Sequence, residues 1–196
     1  MPRDTVLGLM QLLDPEGIAC RKRNRLKRRR YINPGPNFTW HMDSYDKLKP
    51  YGIAINGCID GYSSCLIWLR AGTTNNDPKV IASYYIEEVK KRSGCPSRVR
   101  ADFGTENGHV ENMQKFLRRN HEDRYADERS FLSGTSPHNQ RIEWFWGILR
   151  KEMGQFYMDM FTDLMHDDRD LFSGDLLDKN LTPFCFLKVI QVSIPR

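Results

Sequence analysis

Alternating hydrophobic and polar residues predict three antiparallel strands in the first half of the chain. Residues 38–43 have the period-2 pattern of a half-buried strand, and Asp43 lies on its polar face together with His41. Residues 52–60 and 64–69 have the composition of two further strands, joined by the turn-forming pair Asp60-Gly61. The pattern therefore predicts a three-stranded meander.

Helical spacing takes over after residue 76. Asp77 is a predicted N-cap with Pro78 at the first helical position, and Gly94 is the predicted end of this helix. A short strand over residues 98–101 precedes Gly104 and a second helical pattern. A helix, a strand and another helix in this order predict a parallel crossover, with Asp102 at the carboxyl end of the strand.

A long helix is predicted from about Asn139. Its apolar stripe keeps helical spacing over several turns and comprises Ile142, Phe145, Leu149, Met153, Phe156, Met160 and Leu164. The pattern ends after Asp167, and residues 173–196 are predicted to be an incompletely packed tail. We therefore divide the chain into a basic leader (1–35), a core domain (36–170) and a C-terminal tail (171–196).

The positive charge of the chain is concentrated in the leader. The net charge is +5, but eight of the 30 basic residues form a single run: Arg21, Lys22, Arg23, Arg25, Lys27, Arg28, Arg29 and Arg30. Such a run is typical of a nucleic-acid contact or a nuclear-import signal, with a solvated tail as the alternative. The five cysteines contain no Cys-x-x-Cys pair, which favours a reducing compartment. No stretch has the apolar length of a membrane span, so no membrane partner is expected.

Three carboxylates stand in characteristic surroundings. Asp43 ends Trp-His-Met-Asp, Asp102 begins Asp-Phe-Gly-Thr-Glu-Asn, and Glu143 follows Asn-Gln-Arg-Ile at the start of the long helix. This constellation resembles the Asp-Asp-Glu triad of the integrase core domain of retroviruses and retrotransposons and of related transposases. The resemblance covers roughly residues 36–165. The interval between the second and third acids is longer than in retroviral relatives, and we place the extra residues in a loop over residues 121–133.

The resemblance implies a fold and a chemistry. The expected fold is an α/β, ribonuclease-H-like mixed sheet of three antiparallel strands plus parallel strands, flanked by helices. The expected reaction is cutting and joining of DNA with two Mg²⁺ or Mn²⁺ ions held by Asp43, Asp102 and Glu143. A nuclear location, DNA as partner and a homo-oligomer are implied as well. The retroviral His-His-Cys-Cys zinc module is missing from this sequence.

Further nucleic-acid contacts are predicted on the long helix. Asn139 and Gln140 match polar residues that approach the DNA end in relatives. Arg150 follows Glu143 by seven positions and projects from nearly the same side of the helix, whereas Lys151 lies about 80° away. Solvated helix charges are the alternative for Arg150 and Lys151. His138 is the histidine expected nearest the site.

Several alternatives remain open from the sequence. Asp60 competes with Asp43 as a strand-end acid, although turn chemistry explains it, and Glu106 or Glu111 competes with Asp102. Trp144 and Trp146 are interpreted as core or interface aromatics rather than base-stacking platforms. A dimer contact is predicted along the apolar stripe, unless Phe184 and Phe186 of the tail cover it. The rival functions are a decayed or domesticated core that binds DNA or a protein without catalysis, and a structure-specific ribonuclease or repair nuclease.

Overall fold

The computed structural model describes residues 2–23, 31–135, 139–166 and 175–193, with the backbone alone for residues 21–23. The chain divides into two compact units, residues 1–32 and residues 33–196. The first unit contains helices α1 (Arg3–Leu13) and α2 (Pro15–Arg23). Five of the eight clustered basic residues and one histidine lie outside the described residues: Arg25, Lys27, Arg28, Arg29, Arg30 and His138.

The second unit is built on a five-stranded mixed sheet of order β3-β2-β1-β4-β5. The strands are β1 (Thr39–Tyr45), β2 (Ala54–Asp60), β3 (Leu66–Gly72), β4 (Arg98–Ala101) and β5 (Phe131–Ser133). The first three form the predicted antiparallel meander, and β4 joins β1 in parallel, as the crossover pattern predicts. The loop predicted over residues 121–133 is wrong at its end, because β5 pairs with β4. A strand of three residues is too short to show an alternation in the sequence.

Helices α3 (Pro78–Arg92) and α4 (Gly108–Arg118) pack on one face of the sheet. The predicted N-cap is confirmed, since the Asp77 carboxylate accepts a hydrogen bond from the backbone N–H of Lys79 at 2.8 Å. The predicted end at Gly94 is wrong by one residue. Ser93 takes the left-handed conformation, with φ of 53°, and Gly94 donates its N–H to the Val89 carbonyl.

The long helix covers the other face and contains a change of pitch. It comprises α5 (Gln140–Leu149), a π-helical segment (Arg150–Gly154) and α6 (Gln155–Met165). A π turn holds more residues than an α turn and shifts the phase of the residues that follow. The predicted stripe is accordingly correct as far as Met153 and wrong at Phe156, whereas Met160 and Leu164 are partly buried against the core. Tyr157 and Phe161 are buried, whereas Phe156 is 65% exposed.

The predicted incompletely packed tail forms a last helix, α7 (Leu176–Ser193), whose buried residues are Thr182, Pro183 and Ile190. Gln191 binds the outer edge of β3, where its amide oxygen accepts from Ala71 N–H at 2.8 Å and its amide nitrogen donates to the Leu69 carbonyl at 3.1 Å. Phe186 packs edge-on against Phe161 with ring centroids 5.2 Å apart. The sequence pattern does not predict this helix, because its apolar residues are distributed all round the helix axis instead of forming one stripe. None of the helices in the described ranges is long and apolar enough to cross a membrane.

Candidate active site

The strand register places two of the three predicted acids side by side. In the parallel pair of β1 and β4, His41 lies opposite Arg100. Asp43 and Asp102 each follow two residues later, so they leave neighbouring strands at the same edge and on the same face of the sheet. Since the side chains of Asp43 and Tyr45 share one face, Asp43 points toward the layer that contains α5.

Asp43 is held by a tryptophan of α5. The indole N–H of Trp146 donates to Asp43 Oδ2 at 2.8 Å. Gly57 lies opposite Asp43 on β2, and a Cβ there would lie 2.7 Å from the Trp146 ring, so the glycine leaves room for the indole. Burial raises the pKa of Asp43 to about 6, and the nearby charges of Glu143 and Asp102 act in the same direction. The indole bond and the Ser44 backbone N–H partly offset this shift.

Asp102 is oriented by the turn that follows β4. The Asn107 side-chain amide donates to Asp102 Oδ1 at 2.9 Å, and the backbone N–H of Gly104 donates to the same oxygen at 3.2 Å. Of its two competitors, Glu111 pairs with Lys115 at 2.8 Å on α4. Glu106 lies in the same cavity as Asp102 and accepts a bond from Asn107 at 3.3 Å. The Asp-x-Gly-Thr-Glu-Asn segment therefore supplies both an acid and the amide that positions it.

Glu143 lies in the first turn of α5, and a buried link fixes the start of this helix. The Asn139 amide nitrogen donates to the Met42 carbonyl at 2.8 Å, and Asn139 Oδ1 lies 2.7 Å from His41 Nδ1. Because the amide nitrogen faces Met42, Oδ1 is the acceptor and His41 donates from Nδ1. Burial lowers the pKa of His41 to about 4, so the imidazole is neutral at neutral pH. Asn139 is thus a buried tie between α5 and β1.

The three acids line one open cavity of about 480 Å³, together with Ser44, Tyr45, Asp46, Lys47, Asn76, Gly104, Glu106 and Trp146. None of the ion pairs between described residues involves Asp43, Asp102 or Glu143. In the part of the chain that the structure describes, no three His, Cys, Asp or Glu side chains are grouped closely enough to hold a metal ion as they stand. The cavity therefore holds the three acids without a partner among the described ion pairs, although Lys47 also lines it and a further acid of its lining, Asp46, pairs with Lys49.

A model of the integrase core domain family matches residues 30–195. The chain belongs to the integrase core domain family. The match and the mixed five-stranded sheet flanked by helices confirm the resemblance and the predicted ribonuclease-H-like fold. No curated protein sequence matches the chain.

The remaining residues of this integrase core that were predicted to contact nucleic acid lie in different environments. Gln140 and Lys151 are exposed on the long helix, and Arg150 donates from Nε to Gln155 Oε1 at 3.1 Å across the π-helical segment. Asn139 is buried by its bonds to β1 rather than presented to solvent. The backbone of Arg21, Lys22 and Arg23 belongs to α2.

The role of Trp146 in this integrase core could not be deduced from the sequence. From the sequence it is interpreted as a core or interface aromatic, and it is buried. Periodicity specifies which side of a helix faces inward but not which acceptor an indole N–H reaches. The available signal is the spacing Glu143-x-x-Trp146, which sets both side chains on neighbouring positions of one helical face.

Proposed function

We propose that this integrase core cuts and joins DNA by in-line displacement at phosphorus, as a polynucleotidyl transferase that depends on divalent cations. One observation carries the proposal. Three carboxylates from three separate elements, β1, the end of β4 and the start of α5, line a single cavity.

The residues fit Mg²⁺ or Mn²⁺. The donors are carboxylate oxygens, which these hard cations prefer, and the cavity is open enough to admit their remaining water ligands. Burial is the main cause of the raised pKa of Asp43, and the neighbouring carboxylates of Glu143 and Asp102 add to it. Asp43, Asp102 and Glu143 would hold the ions. When bound, such ions supply charge neutralisation at the phosphate and a more nucleophilic hydroxyl.

The protein's own contribution is orientation. Trp146 and Asn107 each donate a hydrogen bond to one acid, so Asp43 and Asp102 keep their directions before substrate arrives. The His41–Asn139 tie fixes the helix that carries Glu143. Gln140, Arg150 and Lys151 bind the DNA backbone in this proposal, and Asn139 supports them from within the fold.

The proposal is tested with labelled duplex DNA, Mg²⁺ or Mn²⁺ and the purified full chain. Cation-dependent nicking or strand joining that Asp102→Asn abolishes is the expected result. DNA binding without any reaction in either metal would instead support the rival of a core that has lost catalysis. Reactions with RNA–DNA hybrids, run alongside, distinguish this proposal from the nuclease alternative, since a ribonuclease cleaves the hybrid in preference to the DNA duplex.

The leader is proposed to supply most of the sequence-independent affinity for DNA. Its eight clustered cations are the largest local charge excess in the chain. Deleting residues 1–31 should weaken binding and lower the salt dependence, by about 0.9 in log–log slope for each phosphate contact removed. An unchanged slope would leave the run as an import signal or a solvated tail. A nuclear location belongs to the same proposal.

A homo-oligomer is also proposed. Its contact surface differs from the apolar stripe that the sequence predicts. Phe186 covers part of the stripe, whereas the π-helical segment turns Phe156 outward beside Met160 and Leu164, along a groove of about 450 Å³. Sedimentation of the wild type and of Phe156→Ser should show a dimer that the substitution weakens. A wild-type monomer at high micromolar concentration would contradict this.

A further inference from the structure

Lys47 is the only cation among the described residues that line the acid cavity. The carboxylates that share this lining are those of Asp43, Asp46, Asp102, Glu106 and Glu143. A lysine among acids ordinarily pairs with one of them. In the described part of the chain, however, no ion pair involves the Lys47 ammonium group. Its charge is therefore available to a ligand that enters the cavity.

Lys49, two residues further along the chain, has the opposite arrangement. Its ammonium group donates to Asp46 Oδ2 at 3.1 Å and to Asn76 Oδ1 at 3.0 Å. The other carboxylate oxygen of Asp46 accepts from the Asn75 side-chain amide at 2.6 Å. Both oxygens of the acid that precedes Lys47 in the sequence are thus bound to other groups. Lys49 has a structural use for its charge, and Lys47 does not.

The backbone at Lys47 is fixed by its neighbours. Tyr45 and Leu48 are both buried, and the backbone N–H of Lys49 donates to the Asp46 carbonyl at 3.0 Å across the turn that contains Lys47. A lysine side chain is a flexible stem that ends in a compact charge, and such a charge binds phosphate oxygens. The fold therefore keeps this side chain at the cavity while its ammonium group remains able to follow a bound phosphate.

We propose that Lys47 is a further catalytic residue, whose ammonium group binds a non-bridging oxygen of the phosphate that reacts at the acids. This inference rests on the proposed function. As the bond from phosphorus to the attacking oxygen forms and the bond to the leaving oxygen breaks, negative charge is spread over the three equatorial oxygens. A cation positioned at one of them stabilises the transition state. The ammonium group neither gives nor takes a proton in this role.

The competing role for Lys47 is that of an internal counter-charge, which offsets the repulsion among the acids when no cation or DNA is bound. The two roles predict different effects of Lys47→Gln. An internal counter-charge stabilises the protein alone, so its loss lowers the melting temperature without DNA and leaves the interaction with DNA unchanged. A phosphate contact acts only in the complex, so its loss leaves that melting temperature unchanged and alters DNA binding and cleavage.

The test compares Lys47→Gln with Lys49→Gln in the full chain. Affinity for duplex DNA is measured at several KCl concentrations and a constant concentration of Ca²⁺, a hard cation that takes oxygen ligands. Lys47→Gln should lower the log–log salt slope by about 0.9, the value for one phosphate contact on duplex DNA. Lys49→Gln is the matched control, and its slope should equal that of the wild type because the Lys49 charge is already paired with Asp46. An unchanged slope in Lys47→Gln would overturn the proposal.

Cleavage at saturating DNA with Mg²⁺ gives the second readout. Lys47→Gln should cleave about 100- to 1000-fold more slowly than the wild type, the usual effect of removing a group that stabilises transition-state charge. Lys47→Arg should recover part of the rate, since a guanidinium also binds phosphate oxygens. A wild-type rate in Lys47→Gln, or a lower melting temperature as its only change, would contradict the proposal. Failure of the proposed function is distinguishable, because a wild-type chain that does not cleave DNA still shows by its salt slope whether Lys47 contacts a phosphate.

Discussion

Asp43 and Asp60 are two aspartates of the same sheet in opposite situations, Asp43 half-buried and Asp60 buried. Asp60, at the turn between β2 and β3, accepts from the backbone N–H of Asn37 at 2.8 Å and from the N–H and hydroxyl of Ser63 at 2.7 Å each. Asp43 has the Trp146 indole on one oxygen and faces two further acids across a cavity. The sequence already favours Asp43 as the cavity acid, because turn chemistry explains Asp60. Their hydrogen-bond partners distinguish a carboxylate that completes a turn from one that is left for a ligand.

The largest expected effect is a loss of activity from the cavity acid. Asp43→Asn keeps the size of the side chain and removes a shared ligand charge, so DNA cleavage should fall about 1000-fold, the equivalent of several kcal/mol of lost charge stabilisation. Thermal stability at pH 8 should stay the same or rise, because a buried charge facing two other acids has been removed. Cleavage within tenfold of wild type would exclude Asp43 from the site.

The pH dependence of stability should separate Asp43 from its neighbour His41. The folded-state pKa of Asp43 is raised from 3.8 to about 6, so folding stability due to this group falls as pH rises through that window. The pKa of His41 is lowered from 6.5 to about 4, so its contribution rises with pH over nearly the same window. In the wild type the two trends largely cancel.

Asp43→Asn should expose the histidine trend. Its free energy of unfolding should increase by roughly 3 kcal/mol between about pH 4 and pH 6.5, relative to the wild-type profile. Urea denaturation at a series of pH values measures this difference. Parallel profiles for the two proteins would show that Asp43 titrates as an ordinary solvated carboxylate.

Replacement of Asp60 should have the reverse effects, a loss of stability without a loss of activity. In Asp60→Asn an amide NH₂ replaces one acceptor oxygen and meets a donor, at a cost of about 2 to 3 kcal/mol. For a chain of this length the melting temperature should drop by about 4 to 12 °C. The fraction that remains folded should cleave DNA at the wild-type rate. A stable but inactive Asp60→Asn variant would reverse the assignment of the two aspartates.

The indole bond to Asp43 has a smaller effect. Trp146→Phe keeps an aromatic ring in the core but removes the donor, and loss of a hydrogen bond that orients a ligand typically lowers activity about 10- to 100-fold. Trp68→Phe is the control, because Trp68 donates in the same way to Asn56 at 2.8 Å and does not itself line the acid cavity. Both variants should lose similar stability. Equal activity losses in the two would assign the effect to packing alone.

The sequence predicts those parts of this molecule that have a regular spacing of apolar residues or a recognisable motif. The meander, the crossover and the three acids belong to these parts. Short elements and changes of helical phase are not predicted. The strand β5 has only three residues. The π-helical segment shifts the buried side of the helix from Phe156 to Tyr157, and the spacing of apolar residues does not indicate this shift. The buried hydrogen bonds of Asn139 could not be predicted for another reason. A polar residue before a helix fits a DNA contact as well as a buried hydrogen bond, and only the position of β1 decides which group it meets.

The central claim is that Asp43, Asp102 and Glu143 form one cation site, and a thermal shift with Mn²⁺ tests it most directly. At a free concentration about tenfold above the dissociation constant, binding to the folded state should add roughly 1.4 kcal/mol, a rise of about 3 to 6 °C. Asp102→Asn should lose most of this rise. Asp77→Ala should keep it while losing about 0.5 to 2 kcal/mol through its helix cap. If Asp102→Asn responds to Mn²⁺ as the wild type does, the three acids are not one site.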